Sequence, residues 1–330
     1  MESKAPDSLL LLGPAELRGL LDLDAAIATQ RRAFLGLSEG TAQLAARVLL
    51  PGEQGSVVFS YTARTGPAGS PVVKLGSVVP ENPGRGLPSV SAAIMALDAL
   101  TGRPAAFIDG ETVTTLRTVA ASMLAAQTLS GSPSRIAVLG SGRQGRGHVR
   151  ALAQLFGTSR LTVCSRSDAT LEDFTAQVTD DTGTRVLSCR SPEAAVDGAD
   201  LVITCTTSTE PVVQRAWLAP GSTLISIGSF APGHCEVGGD IVTGSRIVVD
   251  DVATATAQAG PIVKALAKNE ISGRALHSLG DVLAGKVPAR LREDDLVYYN
   301  SVGLGVQDAA FVDEALQRAR AGGIGRAIDW

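Results

Sequence analysis

Short runs that are apolar on both alternations punctuate the second half of the chain, at residues 135–139, Arg160–Arg166, Arg185–Arg190, Asp200–Thr207, Ser222–Ser229 and Arg246–Asp251. Strands read this way when both faces of their sheet are covered. Helix-compatible stretches such as Ala169–Val178 separate several of them. This alternation predicts a doubly wound parallel sheet, a Rossmann-type α/β unit over 119–306. Residues 1–118 are patterned differently. Leu9–Leu12 reads as a first strand and Pro14–Leu35 as one amphipathic helix. Val48–Leu50, Ser56–Tyr61, Val72–Val79, Ser89–Asp98 and Pro104–Asp109 read as strands, with Gly/Pro turns at Thr65–Pro71 and Asn82–Pro88. That pattern predicts a β-rich α+β domain built from antiparallel hairpins. The helical stretch Gly305–Ala321 follows the α/β unit and is expected to pack back on the first domain, so that 307–330 joins 1–118. Gly322–Trp330 reads as a flexible end or a subunit contact.

The first of the apolar runs breaks into a glycine pattern, Arg135-Ile-Ala-Val-Leu-Gly140-Ser-Gly142-Arg-Gln-Gly145, and then into a helix-like segment. This is the strand–turn–helix context of a dinucleotide fingerprint. Gly140 permits the tight turn, Gly142 lets backbone approach a pyrophosphate, and Gly145 lets helix pack on strand. The helix N-terminus offers unpaired N–H groups to phosphate. The bland alternative is a structural turn without a ligand. Twenty residues after Gly145, where an NAD site keeps an acid for the ribose hydroxyl, the chain reads Ser165-Arg166-Ser167. No carboxylate there repels a 2′-phosphate and Arg166 can pair with one, which favours NADP(H), with NAD(H) as the alternative. Asp168 and Glu172 also lie near, and Arg166 can equally stack on adenine or face solvent.

Composition narrows the function. The 330 residues suffice for about two domains, and the net charge of −4 without a basic block argues against nucleic acid or an anionic membrane as partner. No apolar run is long enough to span a bilayer, and Leu9–Leu12 is too short for a signal peptide. Cys164, Cys189, Cys205 and Cys235 show no C-x-x-C spacing, as expected of reduced thiols in a cytoplasmic protein. His148, His234 and His277 form no metal-ligand spacing, so no metal site is expected.

Candidate chemistry outside the fingerprint lies in the first domain. Arg47 opens an apolar strand, and Lys74 sits inside the apolar run Val72-Val-Lys-Leu-Gly-Ser. Arg117-Thr118 stands just ahead of a small-residue helix expected over Val119–Leu129. A lysine in a β run ordinarily faces solvent; desolvated, it can act as acid or base near neutral pH. Arg47 and Arg117 suit bidentate capture of a carboxylate, although either arginine taken alone is more often a surface residue. A helix start at Arg117 would favour an anion further.

Taken in order, several segments resemble the ornithine cyclodeaminase/μ-crystallin family over almost the whole length. They are Lys74-Leu-Gly-Ser-Val, Asn82-Pro-Gly-Arg-Gly-Leu-Pro88, Asp109-Gly, Leu116-Arg-Thr-Val-Ala-Ala-Ser122, Gly140–Gly145, Asp200–Ser208, Leu279–Gly285 and Ser301–Asp308. The resemblance implies a nicotinamide cofactor, hydride transfer at the α-carbon of an amino or imino acid, and a homodimer joined through the β-rich domain. It also implies that Arg47, Lys74 and Arg117 hold a substrate carboxylate and assist proton transfer, with Val302 touching substrate. Ser89, Arg117, Thr118, Gly140, Gly142, Arg143, Gln144, Gly145, Ser165, Arg166, Ser167, Thr206, Thr207, Ile227, Gly228, Ser229 and Ser301 would line the cofactor.

One departure separates branches of the family. Its cyclodeaminases and alanine dehydrogenases carry an Asp in a G-x-D-x-P-like turn, where this chain reads Gly228-Ser-Phe230-Ala-Pro232. A phenyl ring cannot shuttle a proton, but it can pack against an apolar ring. The resemblance so modified implies a cyclic ketimine reductase acting on Δ1-pyrroline-2-carboxylate or its six-membered homologue. The rivals are another amino-acid or N-substituted amino acid dehydrogenase, a cyclodeaminase in which His234 or Glu236 replaces the missing acid, and an NADPH-dependent small-ligand binder without turnover.

Overall fold

The computed structural model describes residues 8–157, 160–166 and 168–329. The chain folds as two compact units, one of residues up to Ala120 together with those from Leu304 on, the other of Ala121–Gly303.

In the first unit β1 (Ser8–Leu12), β2 (Gln43–Leu44), β3 (Val48–Pro51), β4 (Val57–Arg64), β5 (Val72–Val78), β6 (Val90–Leu97) and β7 (Pro104–Asp109) share a sheet. Strands β4 to β7 form an antiparallel meander, β1 joins β7 in parallel, and β2 and β3 both pair with β4. The register sets Tyr61 opposite Lys74, Lys74 opposite Ile94, and Ile94 opposite Ile108. These four side chains share one face because directly opposite residues on neighbouring strands do, and all four are buried. The other face leaves Leu75 and Phe107 exposed, and every residue of β3 is exposed. Apolar as it is, the strand that follows Arg47 is exposed along its whole length, with no described residue covering it.

Two helices, Pro14–Leu20 and Leu23–Ser38, replace the single one expected from the period of Pro14–Leu35. Asp22 breaks the pattern: its backbone is extended and its side chain accepts the Ala25 N–H as an N-cap. The helix after β7 runs over Gly110–Ser130, capped by Asp109 through the Thr112 N–H at 2.8 Å. Arg117 thus lies in a helix interior and not at a helix start, and the helix-terminus argument for an anion there does not apply. The run Thr112-Val-Thr-Thr hides this start, because β-branched residues are weak helix formers; burial of Val113 overrides them.

In the second unit β8 (Arg135–Leu139), β9 (Arg160–Cys164), β10 (Val186–Cys189), β11 (Leu201–Thr204), β12 (Thr223–Ser226), β13 (Arg246–Val249), β14 (Leu276–Ser278) and β15 (Val297–Asn300) form a parallel sheet. The order is β10-β9-β8-β11-β12-β15-β13-β14. Every residue of β11, β12 and β15 is buried, which is why these strands read as continuous apolar runs. The chain order reverses between β8 and β11, so the loops after these two strands border the switch point where such sheets bind dinucleotides. His148 is buried in the helix Arg143–Phe156, with Nδ1 at 2.7 Å from the Gln144 carbonyl and Nε2 at 2.8 Å from Ser122 Oγ. Burial lowers it to about 4, so it is a neutral tie between helices.

The last helix, Gly305–Gly322, returns to the first unit and lies on the helix Leu23–Ser38 and on β4. Gly323, left-handed at φ 61°, ends it, and β16 (Arg326–Asp329) pairs antiparallel with β1. The segment expected to be a flexible end or a subunit contact forms an edge strand, with Ile328 opposite Leu9. Among the described residues no helix is long and apolar enough to cross a membrane.

Candidate active site

In the first unit the sheet supplies Tyr61 and Lys74, the helix Gly110–Ser130 supplies Thr114 and Arg117, and the helix Gly305–Gly322 supplies Gln307 and Asp308. Lys74 is 2% exposed. Its ammonium donates to Thr114 Oγ1 and, at 3.1 Å, to Asp308 Oδ1. The Thr114 hydroxyl in turn donates to the Gly110 carbonyl at 2.5 Å, which leaves its oxygen to accept from the lysine. Arg117 Nε reaches the same Asp308 Oδ1 at 3.3 Å, and Nη1 reaches Gln307 Oε1 at 3.3 Å. The Tyr61 hydroxyl donates to Asp308 Oδ2 at 2.6 Å. Arg47 lies over the Tyr61 ring at 5.4 Å.

These contacts decide the electrostatics. Burial lowers Lys74 to about 8, with Arg117 pushing the same way and Asp308 opposing. Burial alone would raise Asp308, but Lys74, Arg117 and the Tyr61 hydrogen bond outweigh it and leave the carboxyl below its usual value. Two buried cations share one carboxylate, so the cluster holds one positive charge in excess. A buried excess charge is costly unless a counter-ion arrives, and a substrate carboxylate is such a counter-ion. Asp308, Tyr61 and Thr114 received no role from the sequence. Asp308 was detectable in principle, as an acid inside the apolar helical stretch Val306–Val312, the counterpart of a lysine inside an apolar β run.

In the second unit the cofactor candidates gather at the carboxyl ends of the strands. A Cβ on Gly140, at φ +112°, would stand 2.5 Å from the Cys205 carbonyl oxygen, and one on Gly145 would stand 2.0 Å from the Gly140 oxygen. A Cβ on Gly142 would meet nothing within 4 Å. The outer two glycines therefore serve the protein's own packing, while the middle one leaves open space at an N-terminus with no side-chain cap and no acid in its first turn. This cradle fits a pyrophosphate. Arg143 is exposed next to it. Ser165, half-buried, and Arg166, exposed, follow β9, and Arg190 Nη1 donates to the Arg166 carbonyl at 3.3 Å. Ser167 lies outside the described residues. Asp168 is not an open carboxylate: Arg146 Nη2 holds Oδ2 at 2.7 Å, and the Thr170 N–H and hydroxyl hold Oδ1 at 2.8 Å.

After β11 come Thr206, half-buried, and Thr207, exposed; after β12 come Ile227, Gly228 and Ser229, all buried. After β15 come Ser301 and Val302, 4% and 8% exposed. Asp250 Oδ2 anchors this last loop, accepting the Val302 N–H at 2.8 Å and the Gly303 N–H at 2.6 Å. Phe230 is half-buried against the core, with its ring centroid 4.8 Å from that of His234. Glu236 is fully buried and its carboxylate accepts from Thr204 Oγ1, Thr206 N and Oγ1, Ser226 Oγ and Gly228 N. It is tied into the wall of the site and not poised as a shuttle. Thr118 lies buried in the helix interior of the first unit, and Ser89 half-buried at the foot of β6, where its carbonyl accepts the Val79 N–H. Among the described residues no group of His, Cys, Asp and Glu could hold a metal ion.

Comparison with known proteins adds names to this geometry. The profile of the ornithine cyclodeaminase/mu-crystallin family matches residues 10–323. Delta(1)-pyrroline-2-carboxylate reductase 1 of Burkholderia multivorans is 33% identical over 271 residues, covering 82% of this chain and 84% of the relative. The structure of Thermococcus litoralis Delta(1)-pyrroline-2-carboxylate reductase in complex with NADH and L-proline superposes with a TM-score of 0.91 at 28% identity, covering 97% of this chain and 100% of the other. An archaeal alanine dehydrogenase dimer with bound NAD also gives 0.91 at 28% identity, covering 98% and 99%. The chain belongs to the ornithine cyclodeaminase/mu-crystallin family.

Proposed function

We propose that this chain is a nicotinamide-dependent oxidoreductase that reduces the C=N bond of a small cyclic imino acid, Δ1-pyrroline-2-carboxylate or its six-membered homologue, to the cyclic L-amino acid. The observation that carries this reading is the buried cluster of Lys74, Arg117 and Asp308, with its one unbalanced positive charge. Arg117 and Arg47 would receive the substrate carboxylate. Lys74, still protonated at neutral pH with its value near 8, would donate to the ring nitrogen or keep it protonated. When bound, the cofactor supplies hydride to the imine carbon. The loops after β8, β9, β11, β12 and β15 would hold that cofactor, and Val302 would touch substrate.

Phe230 favours reduction over deamination. Releasing ammonia needs a group that handles the proton on the amine or attacking water, and Phe230 offers none. Glu236 is already engaged by five donors. NADPH is favoured over NADH because Ser165 leaves no carboxylate at the end of β9, Asp168 is neutralised by Arg146, and Arg166 is open to a phosphate.

The test is cofactor oxidation followed by absorbance with each cyclic imine. Turnover with NADPH is expected, at a kcat/KM about tenfold above that with NADH, the effect of one charge-assisted hydrogen bond. Turnover with NADH alone would keep the chemistry and overturn the cofactor preference. Absence of turnover in all four combinations would overturn the reductase reading.

A homodimer joined through the β-rich sheet is the second part of the proposal. Val48 and Leu50 are 54% and 63% exposed, and the exposed Leu75 and Phe107 lie on the same face of the sheet. Such a surface is unusual on a monomer. Light scattering is expected to give twice the chain mass; a single-chain mass would rule the dimer out.

A further inference from the structure

Glu236 is a buried acid for which the proposed reaction has no proton-transfer role. Two of its five donors are backbone N–H groups, of Thr206 at 2.6 Å and Gly228 at 2.7 Å, which can only donate. The hydroxyls of Thr204, Thr206 and Ser226 complete the set at 2.7–2.8 Å. A carboxylate accepts all five of these donors. Glu236 is 0% exposed, and among the described residues no lysine or arginine forms an ion pair with it. The site is built around it: a Cβ on Gly228 would stand 1.9 Å from the Thr206 carbonyl oxygen and 2.7 Å from Glu236 Oε1. Its carboxylate therefore lies directly behind Thr206 and Gly228, at the carboxyl ends of β11 and β12.

We propose that Glu236 is a positioning residue whose fixed negative charge favours the oxidised, cationic nicotinamide over the reduced, neutral one, and so sets the redox balance of the bound couple. This rests on the reading of these loops as the cofactor site. When the reduced ring gives up a hydrogen nucleus with its electron pair, the acceptor carbon gains both and the ring is left positive. A charge that water does not screen acts on that ring over several ångströms. Because it is already in place, it stabilises the developing charge during transfer as well.

The test compares dissociation constants of the oxidised and reduced cofactor in wild type, Glu236→Gln and Thr204→Val. Glu236→Gln is expected to raise the ratio of oxidised to reduced constants about tenfold, equivalent to about 30 mV for a two-electron couple. Thr204→Val removes one hydrogen bond and keeps the charge, so its ratio is expected to match wild type. Equal ratios in all three proteins would overturn the proposal, as would a rise in Thr204→Val equal to that in Glu236→Gln. The glutamine amide turns its own N–H groups toward donors, so this variant can fail to fold. In that case wild type decides: the oxidised form must bind more tightly than the reduced, and the reverse order overturns the proposal. Failure of wild type to bind either form would overturn the cofactor site itself.

Discussion

Lys74→Met is expected to fold, bind cofactor and lose turnover by about 10²- to 10⁴-fold, the usual contribution of a positioned acid. Folding survives because of the charge balance: without Lys74, the Asp308 carboxylate still faces Arg117, and one buried cation meets one buried anion. Methionine fills the stem's volume without a proton to give. The wild-type pH profile has a matching sign. Lys74 is an acid only while protonated, and burial has brought its value to about 8, so kcat should fall as pH rises through that value. Steady-state kinetics from pH 6 to 10 would show the edge in wild type and its absence in the residual activity of the variant. A variant within a few-fold of wild type, or one that keeps the same edge, would remove Lys74 from the chemistry.

Asp308→Asn should be the damaging change at the same cluster. It deletes the single carboxylate between Lys74 and Arg117 and leaves two buried cations facing each other. Breaking a buried pair in this way costs about 3–5 kcal/mol, and denaturant unfolding should show the first unit losing stability by that order. Any folded fraction should carry its pH edge below that of wild type, because Asp308 is the group that raises Lys74 against burial. A stable variant with an unmoved edge would mean that the carboxylate does not govern the lysine. The two substitutions remove opposite partners of one ion pair, yet one should affect kcat and the other the fold.

What could be read from the sequence follows from the range of the interaction that sets each feature. The parallel sheet and the turn at Gly140–Gly145 are local patterns, written in consecutive residues. Lys74 stood out because a charge inside an apolar run is a local anomaly. Asp308 is an anomaly of the same kind, but its pairing with Lys74 across 234 positions exists only in the tertiary fold. The start of the helix at Gly110 was hidden by β-branched residues whose propensity is overridden by burial. The strand Arg326–Asp329 was hidden behind glycines that do mark a turn, but one that leads back to a sheet edge. Strand β3 is the reverse case: its apolar pattern is real, yet no described residue covers it.

The first unit is closed by residues from Leu304 on, which leave the ribosome only after the whole second unit. Its opening portion emerges first, but the helix that brings Asp308 and the strand that pairs with β1 follow only after the whole of Ala121–Gly303. At common elongation rates that interval is roughly 10–40 s. During it Lys74 and Arg117 have no anion to face, and the intervening unit is free to condense on its own local contacts. Deleting Arg326–Asp329 therefore touches the late closing step of the first unit and not a dispensable segment.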